Sequence, residues 1–250
     1  MNSVHGSLRK ISKEKRHKEG PAHQRLGGLV SVCIPTFNKE DYLLECLRSV
    51  HRQTYLKKEI IVVDDCSEDQ TQDVLRFARQ EGIKLTVHKL PVRRGTAWAQ
   101  NIAYYLSSGE FIMNMDSDDV IHPDKILKQI EALKDEEVDF VGTNFTIFRD
   151  NADFPMTKDG GKWLKYDPEE IEESYLFNRV HCMCFGSIMW KAQVIEHIGG
   201  MTKEFIGTED YEMCYRAFTK GFKGANIREP LYYYRSNETQ RSKVFHGSSV

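Results

Sequence analysis

Three carboxylates stand together at Asp116, Asp118 and Asp119, directly after the apolar run Phe111-Ile112-Met113-Asn114-Met115. An apolar run that ends in charge reads as a buried strand whose carboxyl end opens into a site. Carboxylates packed this closely repel one another unless something positive lies between them, and a hard divalent cation is the usual partner. Two further apolar runs end in the same way: one in Thr36-Phe37-Asn38, the other in Asp64-Asp65. The aromatic face of Phe37 and the carboxylate of Asp65 suit the ring and the N–H edge of a base such as uracil, while the acidic cluster suits a metal bound to a diphosphate. Arg93-Arg94-Gly95 precedes a helix start, where a guanidinium and free backbone N–H groups favour an anion. Glu209-Asp210 follows Thr208 at another helix start, a position that favours acids.

Ligands of an open α/β sheet sit in the crevice outside the carboxyl ends of its strands, so three polar strand ends predict one crevice. The elements around it follow in βα order. Leu29–Pro35 is a strand, and Asp41–Val50 a helix with Leu43, Leu47 and Val50 on one face. Glu59–Val63 is the second strand, and Ser67 or Asp69 can cap a helix carrying Val74, Leu75 and Ala78. Ile83–His88 and Phe111–Met115 are the third and fourth strands, with a small-residue helix over Gly95–Leu106 between them and another helix opened by Pro123. Repeated βα units predict an α/β fold with a mostly parallel sheet and helices on both faces. After Val138 the regularity fades. The pattern gives a strand over Val138–Phe148, a polar excursion over Arg149–Pro168, a helix over Glu169–Phe177 and a strand over Phe185–Trp190. A helix from the Thr208 cap through Phe218 and an aromatic strand over Leu231–Arg235 complete the chain.

At 250 residues the chain can bury one substantial core. One domain is expected over residues 29–240, with a donor half (29–120) and an acceptor half (121–240), between a basic tail (1–28) and a short tail (241–250). A formal charge of −2 argues against a general nucleic-acid binder. No apolar run approaches the ~18 residues a transmembrane helix needs, and no apolar signal core stands at the N-terminus. Seven Lys/Arg between Arg9 and Arg25 face only Glu14 and Glu19. That tail reads as disordered, with a weak hold on an anionic membrane surface as its functional alternative, and a homodimer is left open for the protein. The six cysteines form no disulfide framework, and Cys182-Met183-Cys184 beside His181 lacks a second ligand pair for zinc. A reducing, cytoplasmic location fits.

The chain resembles the family 2 glycosyltransferases, which have the nucleotide-diphospho-sugar transferase (GT-A) fold. The resemblance rests on Val30-Ser31-Val32-Cys33-Ile34-Pro35-Thr36-Phe37-Asn38-Lys39, Ser49-Val50 through Gln53-Thr54-Tyr55, and Glu59 through Ser67. It continues through Gly95 to Asn101, Gly109-Glu110-Phe111-Ile112, Asp116–Asp119, Gly199-Gly200 and Gly207-Thr208-Glu209-Asp210, and covers residues 29–236. It implies a nucleotide site of Pro35, Thr36, Phe37, Asn38, Asp65, Arg94, Asp116 and Ser117. It implies a DxD pair at Asp116 and Asp118, with Asp118 or Asp119 touching Mn²⁺ or Mg²⁺. It implies a general base at Asp210, beside Glu209, and transfer of one sugar with inversion from a nucleotide-diphosphate sugar to a glycan, lipid-linked or protein hydroxyl. Asp65 favours UDP, with thymidine or guanosine diphosphate left open. Cys66 stands where the family commonly has Gly or Asn. The Gln-x-x-Arg-Trp motif of processive relatives is absent, and so is the histidine that often follows the arginine in Tyr234-Arg235-Ser236.

Two rival readings use the same residues. Asp116-x-Asp118-x-Val120 fits the nucleophile motif of haloacid dehalogenase-type phosphatases, although that motif normally ends the first strand of its fold. A non-catalytic nucleotide-sugar or glycan binding module would leave Asp210 without a task. Tyr232-Tyr233-Tyr234 and Trp190 read as strand packing, and His181 and His197 as ordinary histidines.

Overall fold

The computed structural model describes residues 24–149, 158–159, 161–202, 204 and 207–236. Most of the basic tail and all of 241–250 lie outside them. The first half is a run of βα units: β1 (Leu26–Thr36), α1 (Leu43–His51), β2 (Lys58–Asp64), α2 (Thr71–Gln80), β3 (Thr86–Lys89), α3 (Thr96–Leu106) and β4 (Gly109–Asn114). β1 begins three residues earlier than the apolar pattern indicated, inside the stretch read as tail. β1 pairs in parallel with β2 from Val30↔Lys58 to Thr36↔Asp64, and with β4 from Val30↔Phe111 to Cys33↔Asn114. These registers bring the polar ends of β1, β2 and β4 to one edge of the sheet.

The second half comprises β5 (Val120–Ile121), α4 (Lys125–Ala132), β6 (Phe140–Phe148), β7 (Lys158–Asp159) and α5 (Pro168–Glu173), followed by β8 (Met189–Lys191), α6 (Ala192–Ile198), α7 (Glu209–Thr219) and β9 (Gly224–Arg235). The sheet order is β3-β2-β1-β4-β8-β6-β9-β5, with β7 on β6. The first four strands and the long β6–β9 pair are parallel, while the short β8 runs antiparallel to both β4 and β6. β1 is buried on both faces, so it reads as a continuous apolar run. Val32 and Ile34 join a core with Leu47, Val62 and Met113. Cys33 joins a core with Ile61, Ala99, Ile112, Trp190 and Phe218 on the opposite face.

The structure departs from the sequence pattern where backbone bonds are diverted. Phe185–Ser187 is a 3₁₀ turn rather than strand, because Ser187 Oγ donates back to the Cys184 carbonyl at 2.7 Å, and the strand is only Met189–Lys191. α4 starts at Lys125, two residues after Pro123. α5 passes at Ser174 into a π-helical turn ending at Asn178, shortening the α-helix expected through Phe177. The strand expected from Ile83 begins only at Thr86, and the final strand reaches back to Gly224, with a register shift near Pro230.

Candidate active site

Three loops meet at the polar sheet edge. After β1, Asn38 takes a left-handed conformation (φ 50°), and its backbone N–H donates to Ser67 Oγ while its Oδ1 accepts from Glu68 N–H, both at 2.9 Å. Cys66 is also left-handed (φ 67°), which accounts for the glycine or asparagine usual there. Asp64 is fully buried and structural, accepting from Ser67 N–H at 2.8 Å and from Gln72 Nε2 at 2.5 Å. Asp69 rather than Ser67 serves the start of α2, accepting from Thr71 N–H at 3.0 Å.

The residues expected around a nucleoside come together, with one change. Asp65 donates its N–H to the Thr36 carbonyl at 2.8 Å, and its carboxylate accepts from the backbone N–H groups of Arg94 (2.6 Å) and Gly95 (2.7 Å). The carboxylate thus ties β2 to the α3 loop. Arg94 contributes its backbone here, and its side chain is exposed. The guanidinium over Phe37 belongs to Arg93, 3.9 Å from the ring centre. Pro35 is buried at the end of β1, and buried Thr36 Oγ1 has no hydrogen-bond partner among the described residues.

The acidic loop splits by role. Asp118 Oδ2 meets Lys39 Nζ at 2.6 Å. Asp116 is half-buried, and burial followed by the charge of Asp118 raises its pKa to about 6, against the Tyr232 hydroxyl and Lys39. Asp119 is buried, with its pKa pushed well up by burial and by Asp118 and Asp116. Its Oδ2 accepts from Tyr232 OH at 2.6 Å and its Oδ1 from Arg235 N–H at 2.7 Å. Asp119 is therefore engaged by β9 through both oxygens. Ser117 is buried between the acids.

Among the described residues no three His, Cys, Asp or Glu side chains form a ready metal cluster. The donor chemistry of Asp116 and Asp118 still fits a hard cation. Two hard oxygen donors repel each other there, and the Lys39 ammonium lies against one of them as a positive charge would. All six cysteines are free, and burial pushes the Cys182 thiol up to about 11.

Across the cleft, α7 opens on Glu209 and Asp210. Glu209 is buried, and its Oε2 accepts from Gly207 N–H at 2.8 Å. Asp210 keeps its side chain 41% exposed. Oδ1 accepts from Tyr211 N–H at 2.7 Å, and Oδ2 lies 3.4 Å from His181 Nε2. Burial works upward on its pKa, but His181 and the backbone N–H groups outweigh it and hold the carboxyl below its ordinary range. The charge of Asp210 is felt at Asp116.

Three further residues complete this site. Arg235 donates from Nε to the Asp118 carbonyl at 2.7 Å, pairs with Glu45, and lies between Tyr42 and Phe148 at 4.9 and 4.5 Å. Tyr232 stands beneath the acids, and His181 beside Asp210. Their signals in the sequence are the arginine of Tyr234-Arg235-Ser236, the aromatic strand before it and a histidine in an irregular stretch.

The profile described as "Glycosyl transferase family 2" matches residues 31–199. The chain is 29% identical over 207 residues to the UDP-Glc:alpha-D-GlcNAc-diphosphoundecaprenol beta-1,3-glucosyltransferase WfaP of Escherichia coli, covering 83% of this chain and 77% of that protein. It is 28% identical over 217 residues to the amylovoran biosynthesis glycosyltransferase AmsB of Erwinia amylovora, covering 82% and 68%. Among solved structures, S. aureus TarS 1-349 in complex with UDP-GlcNAc superposes with a TM-score of 0.68 at 25% identity, over 88% of this chain and 61% of that one. The chain belongs to glycosyltransferase family 2 and has the GT-A fold. It is a glycosyltransferase that draws on a nucleotide-sugar donor. Family membership, with Asp116 after the fourth strand rather than the first, sets the phosphatase reading aside. No helix among the described residues is long and apolar enough to cross a membrane.

Proposed function

We propose that this chain transfers one sugar from a UDP-sugar to an acceptor hydroxyl, with inversion at the anomeric carbon and Asp210 as general base. The observation that carries the reading is Asp210 itself: a half-exposed carboxylate at a helix start, close enough to the acidic loop to be felt at Asp116. Its lowered pKa keeps it ionised at neutral pH. The acceptor O–H proton moves to Asp210, the oxygen bonds to the anomeric carbon, and the carbon–oxygen bond to the diphosphate breaks with its electron pair on the diphosphate. Asp116 and Asp118 would hold Mn²⁺ or Mg²⁺, which when bound stabilises the charge of the departing diphosphate. Phe37, Asp65 and the unpartnered Thr36 Oγ1 suit a uracil nucleoside. The names of WfaP and TarS, which specify UDP-glucose and UDP-GlcNAc, support the choice of UDP. The WfaP name also supports a lipid-linked diphosphosugar acceptor, and the basic residues between Arg9 and Arg25 suit the anionic surface that would present one.

The test is Asp210→Asn at saturating donor. Transfer is expected to fall on the order of 10²- to 10⁴-fold with UDP-sugar affinity retained. Undiminished transfer would remove Asp210 from the base role.

A further inference from the structure

We propose that His181 is the positioning residue for Asp210, the terminus of a Tyr175–His181–Asp210 chain that aims the base at the acceptor. The inference rests on the reading of Asp210 as base. Tyr175 OH hydrogen-bonds His181 Nδ1, and His181 Nε2 faces Asp210 Oδ2 at 3.4 Å. Tyr175 is fully buried, and burial pushes its phenol far above the ordinary range, so it stays protonated. In the proposed chain this O–H donates to Nδ1, which places a ring proton on Nε2, directed at the carboxylate. That arrangement pairs all three groups.

The ring is held by its neighbours. Tyr175 and Tyr211 meet it edge-on at 5.7 and 6.1 Å, and Trp163 lies 5.9 Å away. Tyr175 is itself stacked on Tyr211 (5.4 Å) and Phe218 (5.0 Å), which anchors the chain in the core. With Tyr211 N–H on Oδ1 and His181 on Oδ2, the carboxylate is fixed in rotation and the exposed lone pair is left for the acceptor proton. His181 gives up no proton in this scheme: the acceptor proton stays on Asp210 until solvent takes it. Logic of this kind, a base oriented by a third group, recurs wherever a weak nucleophile is activated. Other charged and titratable groups near the pair include Asp116 across the cleft, Cys182 next to His181, Glu209, Glu212 and Cys214 on α7, and Arg179 and Tyr215 near Tyr211.

Two measurements on the full chain test this. Nitrogen-15 NMR of the histidine rings should show His181 as the Nε2–H tautomer, with resonances moved by Asp210→Asn and by Tyr175→Phe. An Nδ1–H tautomer, or indifference to Asp210→Asn, overturns the proposal. In kinetics with UDP-glucose, Mn²⁺ and a synthetic GlcNAc-diphospholipid, His181→Phe should lower kcat on the order of 10- to 100-fold at unchanged donor KM. It should also move the acid limb of the pH profile upward, because Asp210 loses a donor that holds its pKa down. His181→Gln, which keeps a donor, should restore part of kcat, and equal Tm values exclude loss of the fold. Wild-type kcat and pH limb in His181→Phe, with Asp210→Asn inactive, would sink His181 and leave the base standing. Full transfer by Asp210→Asn would sink both.

Discussion

Tyr232 donates its hydroxyl hydrogen to Asp119 at 2.6 Å from the interior side of the acidic loop, and the next inward partner on the same strand, Arg235, closes the other oxygen at 2.7 Å. The last acid of the cluster thus fastens the loop to β9, and Asp116 and Asp118 are left to face the cleft. The division predicts two different phenotypes. Tyr232→Phe leaves a buried carboxylate short of one donor and should cost about 1–3 kcal/mol of stability, with Mn²⁺-induced stabilisation retained. Asp118→Asn should keep the fold, since its partner Lys39 is partly exposed, and lose most of the Mn²⁺-induced rise in Tm. Thermal unfolding with and without Mn²⁺ separates them. Equal loss of the metal response in both would contradict the division.

The raised pKa of Asp116 sets a pH window. Its ionised form is disfavoured in the folded state, because burial and the charge of Asp118 lift the pKa from the ordinary carboxylate value to about 6. The unfolded chain releases that proton first, so the metal-free protein should lose stability as pH rises from about 4 to about 6. Asp119, raised for the same reasons, adds in the same direction. With the cation on Asp116 as proposed, protons and metal compete for it, so the rise in Tm caused by Mn²⁺ should be small at pH 5 and grow until pH passes about 6. A Mn²⁺ response that is flat with pH would show that Asp116 does not hold the cation.

The parts of this site that were legible in the sequence are those written in short spans. β1, β2 and β4 are buried on both faces, so each appears as an unbroken apolar run, and its polar residues begin where the sheet edge begins. The supporting shell was not legible, because it is assembled across long separations: Tyr232 reaches Asp119, and Arg235 reaches Glu45. Arg93 and Arg94 are adjacent in a loop with no periodicity to tell their side chains apart, and only the backbone path puts the Arg93 guanidinium over Phe37. His181 reads as an ordinary histidine because the stretch around it folds as π and 3₁₀ turns, for which neither a helical nor a strand period exists.

Lys125 makes a prediction of the opposite kind. It is fully buried under the acidic loop, donating to Gln129 Oε1 at 2.6 Å and to the Ser187 carbonyl at 2.9 Å, and burial pulls its pKa down to about 7. The folded state resists its protonation, so wild-type stability should climb as pH rises from about 7 toward the ordinary lysine value of 10.5. Lys125→Met replaces the ammonium with an apolar chain of similar length, and the Ser187 carbonyl keeps a donor in Gln129 Nε2 at 2.9 Å. The variant should be at least as stable as wild type at pH 7, by up to about 4 kcal/mol, and its stability should lose the slope between pH 7 and 10. Denaturant titrations at three pH values decide it. A strongly destabilised variant would mean that the ammonium is needed as a charge in the core.

Gly186 tests how tightly the cleft floor holds Asp116. A Cβ at this position would stand 2.4 Å from both Asp116 Oδ2 and the Tyr232 hydroxyl, closer than packed atoms come. Tyr232 cannot yield easily, because it is fully buried and fixed to Asp119. The carboxylate of Asp116 faces the cleft and is the softer of the two, so Gly186→Ala should displace it. Gly142→Ala is the matched control: its Cβ would meet Asn226 Oδ1 at 2.3 Å, in the core and away from the acids. Both should lose about 1–3 kcal/mol to overpacking. Only Gly186→Ala should also weaken Mn²⁺ binding and transfer, and the affinity for UDP without metal should be the same in both. If the two variants lose metal affinity in proportion to their lost stability, the effect is general loosening rather than displacement of Asp116. A loss confined to Gly186→Ala would identify the glycine as the residue that lets the backbone after Cys184 pass beneath Asp116 without pushing it aside.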